Sequence, residues 1–237
     1  MSNSKLVNYT KISPNSTNPR NHKIDKITIH HMAGNLSVET CGNVFAPKSK
    51  KASSNYGVGS DGRVGLYVDE ANRAWTSSNA ANDHRAVTIE VANDGGAPNW
   101  HVSDKALEKT IELCVDICKR NGIPRLNFTG DKTGNLTMHK WFAKTTCPGP
   151  YLESKFSYIA EEVNKRLGVE PVRPEASSYM VKITASLLNV RKGPGINYRV
   201  ATAVKKDEVY TIVSESNGWG KLKSGAGWIK LSYTKRV

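Results

Sequence analysis

The hydrophobic positions of this chain change period along its length. In Lys26–His31 apolar and polar residues alternate, so that Ile27 and Ile29 face one way and Thr28 and His30 the other, as in a strand. Val87–Ala92 repeats the pattern, with Val87, Ile89 and Val91 on one face and Thr88, Glu90 and Ala92 on the other. Asn55–Val58 and Arg63–Val68 flank Gly59-Ser-Asp-Gly62, which reads as a hairpin turn. From Ser103 the period lengthens. Leu107, Ile111, Cys114, Val115 and Cys118 form a helical stripe, with Ser103 as N-cap and Gly122 as the stop. A last helix is expected over Tyr151–Leu167, with Leu152, Phe156, Ile159 and Val163 inward. Alternating strands and helices predict an α/β domain whose central sheet is covered by helices.

The pattern then breaks. Gly168–Ser178 reads GVEPVRPEASS, without periodicity and with two prolines, and is expected to be a linker. After it come short β-rich pieces: Tyr179–Ile183, Leu187–Arg191, Val200–Val204, Glu208–Val213, Gly218–Leu222 and Gly227–Ile229. Gly193-Pro-Gly195, Asn217-Gly218 and Gly225-Ala-Gly227 mark turns between them, so a small all-β barrel is expected. The division is therefore 1–167, a linker over 168–178, and 179–237.

Charge sharpens this division. The formal net charge is +13, which favours polyanionic partners: nucleic acid, anionic lipid, or a bacterial wall with its phosphate polymers. Tyr179–Val237 holds 11 Lys and Arg against 3 Asp and Glu, so the short second region carries most of the excess. No stretch approaches the roughly 20 apolar residues that cross a bilayer, and no membrane insertion is expected. Met1–Thr10 has no apolar core, so no secretory signal is expected and synthesis is expected to be cytoplasmic. A nucleic-acid partner is not expected, because no stacking platform or recognition helix of known type is present. Cys114 and Cys118 lie on the apolar helix stripe and are expected to be buried thiols.

Candidate chemistry sits at the ends of these elements. His30 is a polar residue on an apolar strand, where a histidine serves either as a core residue or as a ligand. His139 and Cys147 are eight apart in a loop and can converge on one metal. Two histidines and a thiolate would give zinc three protein ligands and leave a fourth position open, as in catalytic sites. Glu90 lies among Val and Ile. It is either a half-exposed surface residue or a general base whose pKa burial has raised.

Taken in order, Ile27-Thr-Ile-His-His-Met-Ala-Gly34, Ala52-Ser-Ser-Asn-Tyr-Gly-Val-Gly-Ser-Asp-Gly62, Val87-Thr-Ile-Glu-Val-Ala-Asn93 and His139 with Thr146-Cys-Pro-Gly149 resemble the type-2 N-acetylmuramoyl-L-alanine amidases. This is the family of phage lysozyme-type amidases and peptidoglycan-recognition proteins. The resemblance covers residues 20–167 and implies a central mixed sheet covered by helices. It also implies a zinc site of His30, His139 and Cys147, and hydrolysis of the amide joining N-acetylmuramic acid to L-alanine. His31 would be a supporting or core residue. Where many members carry a catalytic tyrosine this chain has Ser54, with Tyr56 nearby. Where some members carry a basic residue two before the metal cysteine it has Thr145, with Lys144 adjacent. Glu90 is therefore expected to be the general base and Thr145 the oxyanion donor. Asn55, Tyr56 and Lys144 are candidate substrate contacts.

The C-terminal region resembles bacterial SH3-like domains through Leu188-Asn-Val-Arg-Lys-Gly-Pro-Gly195, Asn217-Gly-Trp-Gly-Lys-Leu222 and Gly227-Trp-Ile229. This implies binding to wall peptide or polymer, with Arg191, Tyr198 and Arg199 as candidate contacts and Trp219 and Trp228 as contacts or core. Together these point to a lytic enzyme acting on the wall after release, of the phage endolysin or host autolysin kind. The alternative is a peptidoglycan-binding protein without catalysis, against which Cys147 argues.

Overall fold

The computed structural model describes residues 2–169, 178–216 and 218–237. Most of the linker expected at Gly168–Ser178, and Asn217 of the expected Asn217-Gly218 turn, lie outside the described residues. The chain divides into two compact units, Met1–Pro171 and Val172–Val237. Among the described residues no helix is long and apolar enough to cross a membrane.

The first unit runs β1 (Tyr9–Thr10), β2 (Ser16–Thr17), β3 (Lys26–His31), α1 (Val38–Phe45), β4 (Tyr56–Val58), β5 (Val64–Leu66), β6 (Arg73–Ala74), α2 (Ala80–Arg85), β7 (Ala86–Val91), α3 (Asp104–Asn121), β8 (Leu136–Met138), α4 (Pro150–Ser154) and α5 (Phe156–Arg166). Six strands make one sheet in the order β1-β5-β4-β7-β3-β8, and β2 pairs with β6 apart from it. The sheet is mixed: β4 and β5 form the antiparallel hairpin, while β4, β7, β3 and β8 run parallel.

Register decides what each face carries. His30 stands opposite Glu90, and Glu90 opposite Gly57, so these three share one face. The next row, Ile29, Ile89 and Tyr56, points to the other. That other face is the main core, where Ile27, Ile29, Val87, Ile89 and Val91 pack against Ile111, Cys114 and Cys118 of α3 and Phe156, Ile159 and Val163 of α5. Each fully buried aliphatic side chain there contributes about 1.5–3 kcal/mol relative to exposure. On the His30 face the Tyr67 ring lies over Gly57 and Gly65. A Cβ at either position would come within 2.7 Å of it, so both must be glycine. Cys41 and Phe45 of α1 complete this second, smaller cluster.

α3 follows its sequence signals: Ser103 Oγ accepts the Ala106 N–H at 3.1 Å, and Gly122 ends the helix at φ +65. The last helix is not continuous as expected. It breaks at Lys155, whose ψ of −7 is too far from helical to carry α4 straight into α5.

Two buried charges tie the unit together. The Arg20 guanidinium donates to five backbone carbonyls, those of Glu70, Asn72, Asp83, His84 and Ala86. Burial pulls its pKa down to about 10, against the pull of Glu70 and Asp83. Glu70 accepts from Tyr56 Oη at 2.6 Å, from both terminal nitrogens of Arg120 and from Asn121 Nδ2.

The second unit consists of β9 (Tyr179–Ile183), β10 (Leu187–Arg191), β11 (Val200–Lys205), β12 (Val209–Ser216), β13 (Trp219–Leu222), β14 (Trp228–Lys230) and β15 (Thr234–Arg236). They form an antiparallel sheet in the order β11-β10-β14-β13-β12-β9-β15. Val181, Val190, Val204, Ile212, Leu222 and Ile229 come from six of these strands yet form one cluster, so the sheet wraps around a single core.

Candidate metal centre

The site lies at the C-terminal ends of the parallel strands β3 and β7. His30 is the fifth residue of β3, and the sheet holds it almost wholly buried. His139 follows directly on β8, at the start of a 3-10 turn ending at Trp141. Cys147 comes from the loop before α4. The Lys140 N–H donates to the Cys147 carbonyl at 3.1 Å, which closes the loop so that His139 and Cys147 meet. Gly149, at φ +81, completes the approach: a Cβ there would come within 3.1 Å of the His31 ring.

One ligand atom from each of His30, His139 and Cys147 lies within 4.8 Å of the other two. His30 Nδ1 and Cys147 Sγ are 3.6 Å apart. Metal bonds of about 2.3 Å to sulfur and 2.0 Å to nitrogen, at a tetrahedral angle, put those atoms about 3.5 Å apart. The imidazole rings of His30 and His139 have centroids 4.7 Å apart.

Unpartnered polar atoms concentrate here. Among the described residues, His30 Nε2, His139 Nε2 and Glu90 Oε2 are buried without a hydrogen-bond partner, as is Nδ1 of the adjacent His31. Burial first, then His139 and His31, holds the His30 pKa well below the usual imidazole range. Burial also lowers His139. Both rings are therefore neutral and able to coordinate. Burial, with Glu90 nearby, pushes the Cys147 thiol up, so a thiolate there calls for a cation beside it. The donor set and the spacing of its ligand atoms fit a zinc ion.

Glu90 is half-buried, but its Oε2 is shut off from solvent. Burial raises its pKa to about 8, and the charge of Lys50 opposes the rise. Lys50 was not singled out from sequence: it sits in the run Lys48-Ser-Lys-Lys51, which looks like any solvated basic patch.

Thr145 and Lys144 are exposed on the Cys147 loop, and Thr145 Oγ1 accepts the Cys147 N–H at 3.2 Å. Asn55 and Tyr56, expected as substrate contacts, are both wholly buried and do not reach the site. Asn55 is spent joining β4 to β7, its Oδ1 accepting the Thr88 N–H at 3.1 Å. Tyr56 is in register with Ile89, hence on the opposite face from Glu90, and its hydroxyl goes to Glu70. Ser54, also buried, donates to the Thr88 carbonyl. His31 lies edge-on to Trp100, with centroids 5.4 Å apart.

In the second unit Arg191 Nη1 donates to the carbonyls of Ile196 and Tyr198. The Tyr198 ring lies on Gly193, and Arg199 is exposed. Trp219 is buried and Trp228 half-buried.

Residues 20–150 match the N-acetylmuramoyl-L-alanine amidase family, and residues 186–235 match the bacterial SH3 domain. No curated protein matches the chain in sequence. Among solved structures, a PlyL mutant is 15% identical with a TM-score of 0.53, over 66% of this chain and 97% of its own. The PlyG catalytic domain is 17% identical with a TM-score of 0.53, over 70% and 98%. A mutant endolysin from Bacillus subtilis is 17% identical with a TM-score of 0.50, over 66% and 99%. At these identities the likeness is one of fold.

Proposed function

Because this chain belongs to the N-acetylmuramoyl-L-alanine amidase family, we propose that it hydrolyses the amide between N-acetylmuramic acid and L-alanine in bacterial peptidoglycan, with zinc held by His30, His139 and Cys147. The observation that carries the zinc reading is the convergence of three ligand atoms within 4.8 Å, two of them on imidazoles, the buried His30 and the half-buried His139, whose charged forms burial disfavours. When bound, zinc supplies a Lewis acid that polarises a carbonyl and acidifies water.

The chain's own groups do the rest. His30 and His139 stay neutral because burial penalises their charged forms. The Cys147 thiolate completes the donor set. Glu90 accepts a proton from the attacking water and returns it to the departing amide nitrogen. Burial moves its pKa up from the usual carboxylate range towards neutrality, which favours the return of the proton to the amide nitrogen. Thr145 keeps its own hydroxyl proton to donate, since it only accepts from Cys147, and we assign it to the oxyanion. We further propose that residues 1–167 are the catalytic domain and that residues 179–237 hold it at the wall.

The test is digestion of purified walls. New muramic acid ends without peptide and free L-alanine amino termini are expected, with about one zinc per chain by metal analysis. New reducing sugar ends alone, or peptide–peptide cleavage alone, would assign a different bond.

A further inference from the structure

The segment between β7 and α3 reads Asp94-Gly-Gly-Ala-Pro-Asn-Trp-His-Val102, with two glycines, a proline and no periodicity. Such a sequence has little of its own to hold it in one shape, yet it is pinned along its length. The N–H groups of Asp94 and Gly95 both donate to the His101 carbonyl, at 3.0 and 3.4 Å. The Trp100 N–H donates to the Gly96 carbonyl at 2.9 Å, so the segment closes on itself. Asn93 Nδ2 donates to the Trp100 carbonyl at 2.8 Å, which ties the closed loop to the end of β7. The Tyr151 N–H donates to the Asn99 carbonyl at 3.2 Å, which ties it to α4.

Within this frame Trp100 has φ +55, in the left-handed region that a bulky side chain rarely adopts. Backbone strain of this kind persists only where the surroundings over-determine it. Filling space does not call for it: Trp100 is only half-buried, and a glycine would take the same backbone conformation without strain. What the conformation places is the side chain. The Trp100 ring stands edge-on to the His31 ring, with centroids 5.4 Å apart and planes at 85°. Its Cβ backs onto Gly149, where a Cβ would stand 3.2 Å from Trp100 Cβ and 3.1 Å from the His31 ring. His31 directly follows His30 on β3, and Gly149 lies two residues after Cys147. Trp100 thus packs against the neighbour of one metal-centre residue and the loop of another. Groups behind metal ligands orient them and raise the affinity of a site. We propose that Trp100 is a positioning residue for the metal centre: its ring braces His31 and its Cβ seats Gly149, which fixes the Cys147 loop against β3 and holds His30 Nδ1 and Cys147 Sγ 3.6 Å apart. The proposal rests on the zinc reading of that centre.

The test is the zinc affinity of the full chain, read by competition with a chelator. It is made at a temperature where the zinc-free variants are folded by circular dichroism, so that a purely structural contribution of the ring drops out. Trp100→Gly removes the ring and relieves the backbone, and should bind zinc about tenfold more weakly than the wild type. Trp100→Phe keeps a ring edge for His31 and should bind within about threefold of the wild type. Trp100→Leu keeps apolar bulk without a ring and should bind more weakly than Trp100→Phe, which preserves the comparison if Trp100→Gly does not fold. With cobalt(II) in place of zinc, the thiolate-to-metal absorption band reports the seating of the Cys147 sulfur. It should weaken or shift in Trp100→Gly and return in Trp100→Phe. Wild-type affinity and spectrum in Trp100→Gly, or no advantage of Trp100→Phe over the variants without a ring, would each overturn the positioning role. If the wild-type chain itself takes up neither zinc nor cobalt, the metal reading fails, and the proposal falls with it.

Discussion

Glu70 and Glu90 are both carboxylates withdrawn from water in the same unit, and their surroundings are opposite. Glu70 is wholly buried, and its two oxygens take hydrogen bonds from Tyr56, Arg120 and Asn121. Glu90 has an oxygen shut off from solvent that receives nothing, and burial pushes its pKa up to about 8. A buried polar group that is fully paired holds a fold together. One left unpaired is a cost that folding alone does not explain. The same contrast separates Arg20, which spends its guanidinium on five carbonyls, from His30 and His139, whose Nε2 atoms stay empty. Saturated polar groups mark the scaffold of this molecule, and of the orphaned side-chain atoms among the described residues all but Asn82 Oδ1 lie on His30, His31, Glu90 and His139.

The strongest way to break that comparison is to remove a ligand of the proposed metal. Cys147→Ser should lower zinc content to background and abolish wall lysis, because serine's hydroxyl is a far poorer zinc ligand than a thiolate. Chelation of the wild type should do the same, with activity restored by added zinc. Undiminished cleavage by a zinc-free Cys147→Ser protein would show that the three converging ligand atoms serve something other than a metal.

Next come the two carboxylates themselves. Glu90→Gln should lower kcat by about 10²–10⁴-fold with zinc content retained. It should lower stability little, since the Glu90 Oε2 that it alters accepts no hydrogen bond. Glu70→Gln should do the reverse. Losing one member of a buried ion pair costs about 3–5 kcal/mol, while kcat per folded molecule stays unchanged. Denaturant midpoints and active-site-normalised rates measure the two effects independently. If both variants lose activity in proportion to stability, the distinction between scaffold and site collapses.

The sequence showed the site and hid the scaffold, for a physical reason. His30 and Glu90 stood out because strand alternation put single polar residues among Ile and Val. That same alternation predicts their shared face once β3 and β7 pair in register. Cys147 and His139 needed the resemblance to the amidases, because an eight-residue loop spacing does not reveal which side chains converge. Glu70, Arg120 and Arg20 carry no local signal. Their side-chain partners lie at least 50 residues away, apart from Tyr56 for Glu70 and Asp116 for Arg120. Tyr56 was misplaced because alternation assigns residues to faces but does not say which face holds the site. The short strand Leu136–Met138 was missed because three residues are too few to establish a period.

The smallest expected effect bears on that misplacement. In Tyr56→Phe the ring still fills the core against α3, so no cavity forms. The hydroxyl's bond to Glu70 at 2.6 Å and the bond it accepts from the Ser4 N–H at 2.9 Å are lost. Glu70 keeps Arg120 and Asn121, so its charge remains paired. A net cost of about 1 kcal/mol follows for removing such a hydroxyl. For a unit of this size that is a fall in Tm of about 2–4 °C. The rate should be untouched, because the Tyr56 side chain lies across the sheet from Glu90 and His30. A tyrosine acting in catalysis would behave in the opposite way, losing rate and keeping stability. A hundredfold fall in kcat with an unchanged melting curve would therefore place the phenol at the reacting amide and return Tyr56 from the scaffold to the site.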